Sequence, residues 1–340
     1  MKIALISTCA VPVPPPAYGG TELVLAALAK ALSSRGHELT VYATGDSDPA
    51  GRLRYFFRTA VWPPDPEAER RHAEWAWREL RAWGADVVHV NSPEALELWD
   101  RAGPSPVLTL HHEREEHLVR LYKRFPEARF VAISRRQARL IPELGSLPVV
   151  HHGLDTELYP AGGGGGGYCA FLGRIAPEKA PHLAIDAARK AGVPLVMGAP
   201  HRPGEPVYDA LYARELAPRV SWPGLQWPGE LDMPSKLAML QRAEALLMPM
   251  AWDEPFGLVM IEAMLVGTPV IAFPRGSAPE IVEPGVTGYL VPDADAMAAA
   301  IPAARRIDRI RCRELALERF SATRMAADYE RLYEEARSPA

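Results

Sequence analysis

Three cysteines in 340 residues, Cys9, Cys169 and Cys312, are too few and too widely spaced for a disulfide framework or a Cys-x-x-Cys zinc site. They point to a reducing, cytoplasmic setting. No apolar stretch approaches the roughly 18 residues of a membrane-spanning helix. The opening Met1-Lys-Ile-Ala-Leu-Ile-Ser is too short for a signal peptide and runs into proline-rich sequence. Charge of one sign is scarce: a formal net charge of −4 leaves nothing to mark a general nucleic-acid binder. A full Gly-x-Gly-x-x-Gly is missing, so a dinucleotide site is poorly supported. No convincing Asp-x-Asp strand-end element is present. In His111-His112-Glu113-Arg114-Glu115-Glu116-His117, His112 and His117 are five apart, about 140° around a helix, whereas a zinc helix needs four. No metal is expected.

What the chain does contain is alternation. Strand-like runs at 2–7, 38–43, 86–90, 106–110, 129–133 and 148–151 are separated by helical patterns, which predicts a parallel, doubly wound sheet. Six consecutive glycines, 162–167, end this series and read as the close of an interdomain connection. A second alternation follows at 168–172, 194–197, 219–222, 245–248, 269–272 and 288–291. The length suits about two domains, each with enough interior to need no disulfides. The last helix, about 322–336, carries Met325, Tyr329 and Leu332 on one stripe. In the Glu67–Trp83 stretch Trp75, Trp77 and Trp83 lie among arginines, which suggests membrane contact. Ala73, Ala76, Trp77, Leu80 and Trp83 nevertheless form one helical stripe, the pattern of a core face. Arginine dominates the basic residues, and with abundant alanine and proline this reads as genomic base composition before phosphate recognition.

The most informative segment is Trp252-Asp-Glu-Pro-Phe-Gly-Leu-Val-Met-Ile-Glu262. Pro255 disfavours helix at Glu254, while Leu258, Ile261, Met264 and Leu265 fall at helical spacing, so a helix should begin near Phe256 or Gly257. Glu254 then stands just before the helix and Glu262 about a turn inside it. Between them lie unpaired N–H groups and the positive end of the helix dipole, which attract phosphate, and Gly257 permits close approach. A diphosphate would fit between two hydroxyl-binding carboxylates. The plainer alternative is acidic residues complementing the dipole, worth about 0.3–1 kcal/mol. Flanking strands at 246–249 and 268–272 complete a strand-helix-strand unit, whose ligands bind beyond the carboxyl ends of the strands.

Glu254-Pro-Phe-Gly-Leu-Val-Met-Ile-Glu262-Ala-Met, followed by Gly267-Thr-Pro-Val-Ile-Ala, resembles the E-x7-E element of the bacterial family 4 retaining glycosyltransferases. Three more segments resemble that family in order: Tyr18-Gly-Gly-Thr-Glu22 with Gly36-His-Glu-Leu-Thr-Val41, Leu172-Gly-Arg-Ile-Ala-Pro-Glu-Lys179, and Glu280-Ile-Val-Glu-Pro-Gly-Val-Thr-Gly288. The resemblance implies an α/β protein of GT-B fold, two Rossmann-like doubly wound parallel-sheet domains facing a cleft. Residues 1–155 would be the acceptor domain, 156–167 a linker, 168–320 the nucleotide-sugar domain, and 321–340 a helix crossing back to the first domain.

Carried over residue by residue, the resemblance implies donor contacts from Glu262 to the ribose, Glu254 to the donor sugar and the helix amides near Gly257 and Leu258 to the phosphates, with Phe256 and Val259 also donor-binding. Arg174 and Lys179 would stabilise the departing nucleoside diphosphate. Ala180 stands where the family usually has glycine. Gly19 and Gly20 open a helix and would bring amides toward the diphosphate or sugar; a ligand-free tight turn explains them equally on their own. His111 matches a strand end facing the donor sugar, and Glu230 and Leu231 match the nucleobase loop. The expected reaction is metal-independent hexosyl transfer with retained configuration from a nucleoside diphosphate sugar, UDP first, to an acceptor hydroxyl. No cofactor is expected beyond that donor. Secondary-metabolite or antibiotic glycosylation and envelope glycan assembly are both suitable settings, with a small-molecule, oligosaccharide or lipid acceptor and peripheral membrane contact compatible. A sugar phosphorylase and a non-catalytic nucleotide-binding scaffold are the rival readings.

Overall fold

The computed structural model describes residues 1–17 and 19–337, so Tyr18 of the first motif and the last three residues lie outside it. The chain divides into two compact units, Met1–Asp155 together with the segment from Phe320 onward, and Thr156–Arg319. Each is built on one six-stranded, wholly parallel sheet.

In the first unit the strands are β1 (Lys2–Ile6), β2 (Glu38–Ala43), β3 (Arg52–Tyr55), β4 (Val87–Val90), β5 (Val107–Leu110) and β6 (Arg129–Ala132). Their order is β3-β2-β1-β4-β5-β6, so the direction of winding reverses between β1 and β4. Register pairs Ile3 with Leu39 on one side and with Val87 on the other. Ile3, Leu5, Ile6, Val88 and Val90 are fully buried, as expected of strands covered on both faces. Trp77, Leu80 and Ala76 of the helix Pro66–Trp83 pack on this sheet with Trp99 and Leu108, so the tryptophan stripe belongs to the core.

The chain leaves this unit after Asp155 and returns at Phe320. Leu154 N–H donates to the Phe320 carbonyl (2.9 Å) and Ala322 N–H to the Leu154 carbonyl (2.8 Å). A Cβ on Gly153 would meet the Ser321 carbonyl oxygen at 2.3 Å, so this crossing requires glycine. The helix Ala322–Arg337 then covers the sheet. Its Tyr333 hydroxyl meets His89 Nδ1 at 2.7 Å, while His89 Nε2 lies 2.7 Å from the Thr109 hydroxyl, which contacts the Tyr329 hydroxyl at 2.6 Å. Burial pushes His89 down to about 3.

The second unit contains β7 (Cys169–Leu172), β8 (Leu195–Gly198), β9 (Leu225–Gly229), β10 (Leu246–Met248), β11 (Val270–Ala272) and β12 (Gly288–Leu290). The order β12-β11-β10-β7-β8-β9 places the reversal between β10 and β7. Its core gathers Phe171, Met197, Leu247, Ile271 and Ile301.

Three strand expectations need correction. The strand expected at 148–151 is reduced to one bridge between Ala132 and Val149. Residues 219–222 form no strand, and the strand begins at Leu225. β3 was not expected. Both displaced strands are sheet edges, where one unpaired side tolerates Arg52 and Arg54 in β3 and Pro228 in β9 and so erases the apolar run. The glycine run is also tightly held. Gly162, Gly164 and Gly166 donate N–H groups to the carbonyls of Val266, Gln241 and Arg242 at 2.8–2.9 Å. A Cβ on Gly162 would lie 2.5 Å from Gln241 backbone atoms, so close packing excludes side chains there.

Candidate functional site

In the second unit the segments following β7, β9, β10 and β11 gather beyond the carboxyl ends of their strands, where open α/β sheets bind ligands. The loop after β10 carries Trp252, Asp253 and Glu254. Pro255 keeps Glu254 out of helix, and the helix Leu258–Leu265 starts one residue later than its periodicity suggests. Gly257 is its N-cap, in the left-handed region at φ 78°, and a Cβ there would lie 2.7 Å from the Met260 methyl. The N–H groups of Leu258 and Val259 open the helix and have no partner inside it.

The loop after β11 clamps this one. Gly276 N–H donates to Asp253 Oδ1 (3.1 Å), Ser277 N–H to the Glu254 carbonyl (3.0 Å), and the Ser277 hydroxyl to the Phe256 carbonyl (2.5 Å). A Cβ on Gly276, at φ 55°, would sit 2.3 Å from both Glu254 N and O. Only glycine allows the two loops to touch. Glu254 is 9% exposed. Its Oε2 accepts from Trp252 Nε1 (3.0 Å) and pairs with Lys179, whose ammonium lies 5.2 Å from the Trp252 ring centroid. The loop after β7 delivers Lys179, fixed by the bond from Ala251 N–H to the Glu178 carbonyl (2.9 Å). Arg174 stands in the same loop, half exposed and paired with Glu178 at 3.0 Å.

Glu262 is 3% exposed and has both recorded partners on one oxygen. Oε1 accepts from Lys236 Nζ at 2.5 Å and from the Tyr159 hydroxyl at 3.0 Å. Oε2 is left for a further donor. Neither partner was foreseen: Tyr159 lies 103 positions from Glu262, and Lys236 is one cation on the helix Met233–Arg242. Glu230 is exposed just after β9, at Gly229 with φ 90°, while Leu231 packs against Gly198, where a Cβ would meet its Cδ1 at 2.8 Å. His201 stacks on Trp227 beside Gly229, with centroids 3.9 Å apart.

The remaining expected residues lie in the first unit. Gly19 caps the helix Gly20–Ser34, and a Cβ on it would lie 2.7 Å from Pro15 and 3.1 Å from Glu22 Oε2. Glu22 is buried, accepts from the Thr8 hydroxyl (2.6 Å), and has its carboxyl pushed up by burial. His111 follows β5. Its Nε2 lies 2.9 Å from Asn91 Oδ1, and Asn91 Nδ2 donates to the Ile6 carbonyl. That amide orientation makes His111 Nε2 the protonated nitrogen and leaves Nδ1 as acceptor. Burial and the stacked His152, 5.3 Å away, hold His111 well below the usual imidazole range. Ser7, Asn91 and His111 thus stand just past the carboxyl ends of β1, β4 and β5.

Among the described residues no three His, Cys, Asp or Glu side chains converge, and no helix is long and apolar enough to cross a membrane. His112 Nε2 instead contacts the Tyr122 hydroxyl (2.6 Å).

Two family models match: "Glycosyltransferase Family 4" over residues 18–158 and "Glycosyl transferases group 1" over 164–310. D-inositol 3-phosphate glycosyltransferase of Mycobacterium bovis is 31% identical over 236 residues, covering 63% of this chain. The chain spans about half, 48%, of the length of that relative. Among solved structures, AviGT4, a glycosyltransferase involved in avilamycin A biosynthesis, matches with a TM-score of 0.77 at 23% identity, covering 100% of this chain and 98% of that one. HepE (Alr3699) of Anabaena, solved in complex with UDP and glucose, matches at 0.75 and 21% identity, covering 98% and 99%. At these identities the likeness speaks for the fold.

Proposed function

The chain belongs to the GT-B glycosyltransferases of the group 1 and family 4 type, and from that membership we propose that it moves a hexose from a nucleoside diphosphate sugar to an acceptor hydroxyl with retained configuration. UDP is the preferred nucleotide. The observation that carries the reading is the pair of buried carboxylates, Glu254 and Glu262, on either side of a helix start, each already engaged by a lysine.

Glu262 Oε2 would accept from the ribose hydroxyls, with Oε1 immobilised by Lys236 and Tyr159. The diphosphate would take the N–H groups near Gly257, Leu258 and Val259, where helix dipole and open donors coincide. Glu254 would hold donor-sugar hydroxyls and Phe256 would shape that pocket. Lys179, and Arg174 once it leaves Glu178, would offset charge on the departing diphosphate, a role that needs no metal. Glu230 and Leu231 would border the base. In the first unit Gly19, Gly20 and His111 would bind sugar hydroxyls, the neutral His111 offering Nδ1 as acceptor. No carboxylate stands out as a covalent nucleophile, so attack on the face of the departing phosphate is favoured. The acceptor belongs to secondary-metabolite or envelope glycan chemistry, and the enzyme works in the cytoplasm.

Calorimetric titration with UDP, GDP, ADP and dTDP, without and then with magnesium, tests this. Selective metal-independent binding of UDP is expected. No binding to any of the four would favour a phosphorylase or a non-catalytic scaffold.

A further inference from the structure

The first unit exposes aromatic side chains in one place. Tyr55, Phe56 and Trp62, at 49, 37 and 56% exposure, are half of the large exposed hydrophobics among the described residues, and they fall within eight positions of one another. Singly exposed hydrophobics need no explanation, whereas a cluster marks an interaction surface. The segment starts on β3, the edge strand of the sheet, and continues through the following loop.

Its charge is one-sided. From Arg52 to Pro64 the chain carries Arg52, Arg54 and Arg58 and no acidic residue. Arg54 pairs with Glu79, but Arg52, Arg58 and the neighbouring Arg71 have no ion-pair partner among the described residues. Arg71 instead lies over the rings of Phe56 and Phe57, at 5.3 and 5.8 Å. The loop is also pinned. Gly45 N–H donates to the Phe57 carbonyl (2.9 Å), Ala60 N–H to Asp46 Oδ2 (3.0 Å) and Val61 N–H to the Cys9 carbonyl (2.9 Å). The rings are therefore presented preordered, which lowers the entropy cost of docking.

We propose that this arginine-bordered aromatic platform, Arg52–Trp62 with Arg71, docks the first unit on an anionic lipid bilayer. Tyr and Trp favour the water–lipid interface, and clustered arginines favour anionic headgroups. A second copy of the chain is a poor occupant, since a two-fold contact would set the unpaired arginines against themselves. The sequence stretch that suggested a membrane, Glu67–Trp83, turns its tryptophan stripe into the core, and the exposed rings lie just before it.

Sedimentation with sucrose-loaded vesicles of phosphatidylcholine, with and without phosphatidylglycerol, tests the proposal on the full chain. Wild type should bind the anionic vesicles at low salt, be released at high salt and leave neutral vesicles largely unbound. At about fivefold per arginine near a charged surface, Arg52→Glu with Arg58→Glu should cut partitioning roughly thirtyfold or more while leaving UDP affinity unchanged. Trp62→Ser, a second variant at an exposed position, should weaken binding less steeply and remove part of the vesicle-induced fluorescence shift. Failure of wild type to bind anionic vesicles, equal binding to both compositions, or unaltered binding by both variants would overturn the proposal. Self-association abolished by the arginine variant, without vesicle binding, would overturn it in favour of a second copy.

Discussion

Lowering the pH should weaken the first unit specifically. Burial holds His89 and His152 down to about 3 and His72 to about 4, and His111 lies well below the usual range. In the unfolded chain each titrates near 6.5. Between about pH 4 and 6.5 the unfolded state therefore binds protons that the folded state does not, and stability rises with pH across that window. The contribution is fully present above the unfolded value and is lost as pH falls below it. At about pH 5.5 each histidine costs about 1.4 kcal/mol relative to neutral pH, so four cost roughly 5–6 kcal/mol at most. Glu22 and Glu69 oppose this, because burial raises their carboxyls and the folded state takes up their protons first as pH falls. The net loss is smaller than the histidine contribution alone, and that contribution is a large part of a typical domain's stability. Urea unfolding at about pH 7.5 and 5.5, followed by amide exchange in β4, β5 and Ala322–Arg337, reads it. Unchanged protection of those elements at the lower pH would refute the reasoning, because the His89 network lies beneath all three.

Glu254→Gln should lower kcat/KM about tenfold to a few hundredfold, the worth of a charge-assisted hydrogen bond, with the fold intact by circular dichroism; unchanged turnover would remove Glu254 from the site. Tyr159→Phe leaves Glu262 with Lys236 alone on Oε1, and should weaken UDP binding by roughly two- to tenfold in a titration. Gly257→Ala forces a side chain into the left-handed region against Met260, and should cost about 1–2 kcal/mol in an unfolding curve together with weaker UDP binding.

How much of this was legible depends on where each residue keeps its partners. β1, β2, β10 and β11 could be read because strands buried on both faces need apolar side chains at nearly every position, as Ile3 to Ile6 and Val270 to Ala272 show. The edge strands β3 and β9 could not, since an edge admits Arg52 or Pro228 at little cost. The loop-to-helix junction at Glu254 was local, with Pro255 and the Leu258–Leu265 spacing fixing it within one residue. Tyr159 and Lys236 were illegible because their meeting on Glu262 depends on tertiary packing, across 103 positions for Tyr159 and 26 for Lys236. Gly276 gave no signal of its own either. Its necessity appears only once the loops after β10 and β11 lie in contact.

The most direct test of the account is nucleotide selectivity at Glu262, measured by calorimetry with UDP and dTDP on the wild type and on Glu262→Gln. dTDP lacks the 2′-hydroxyl and would leave a buried carboxylate oxygen unmet, so wild type should prefer UDP by about tenfold or more and the variant should lose most of that preference. Equal affinity of the wild type for both nucleotides would contradict the assignment of Glu262 to the ribose, and with it the placement of the donor at this helix start.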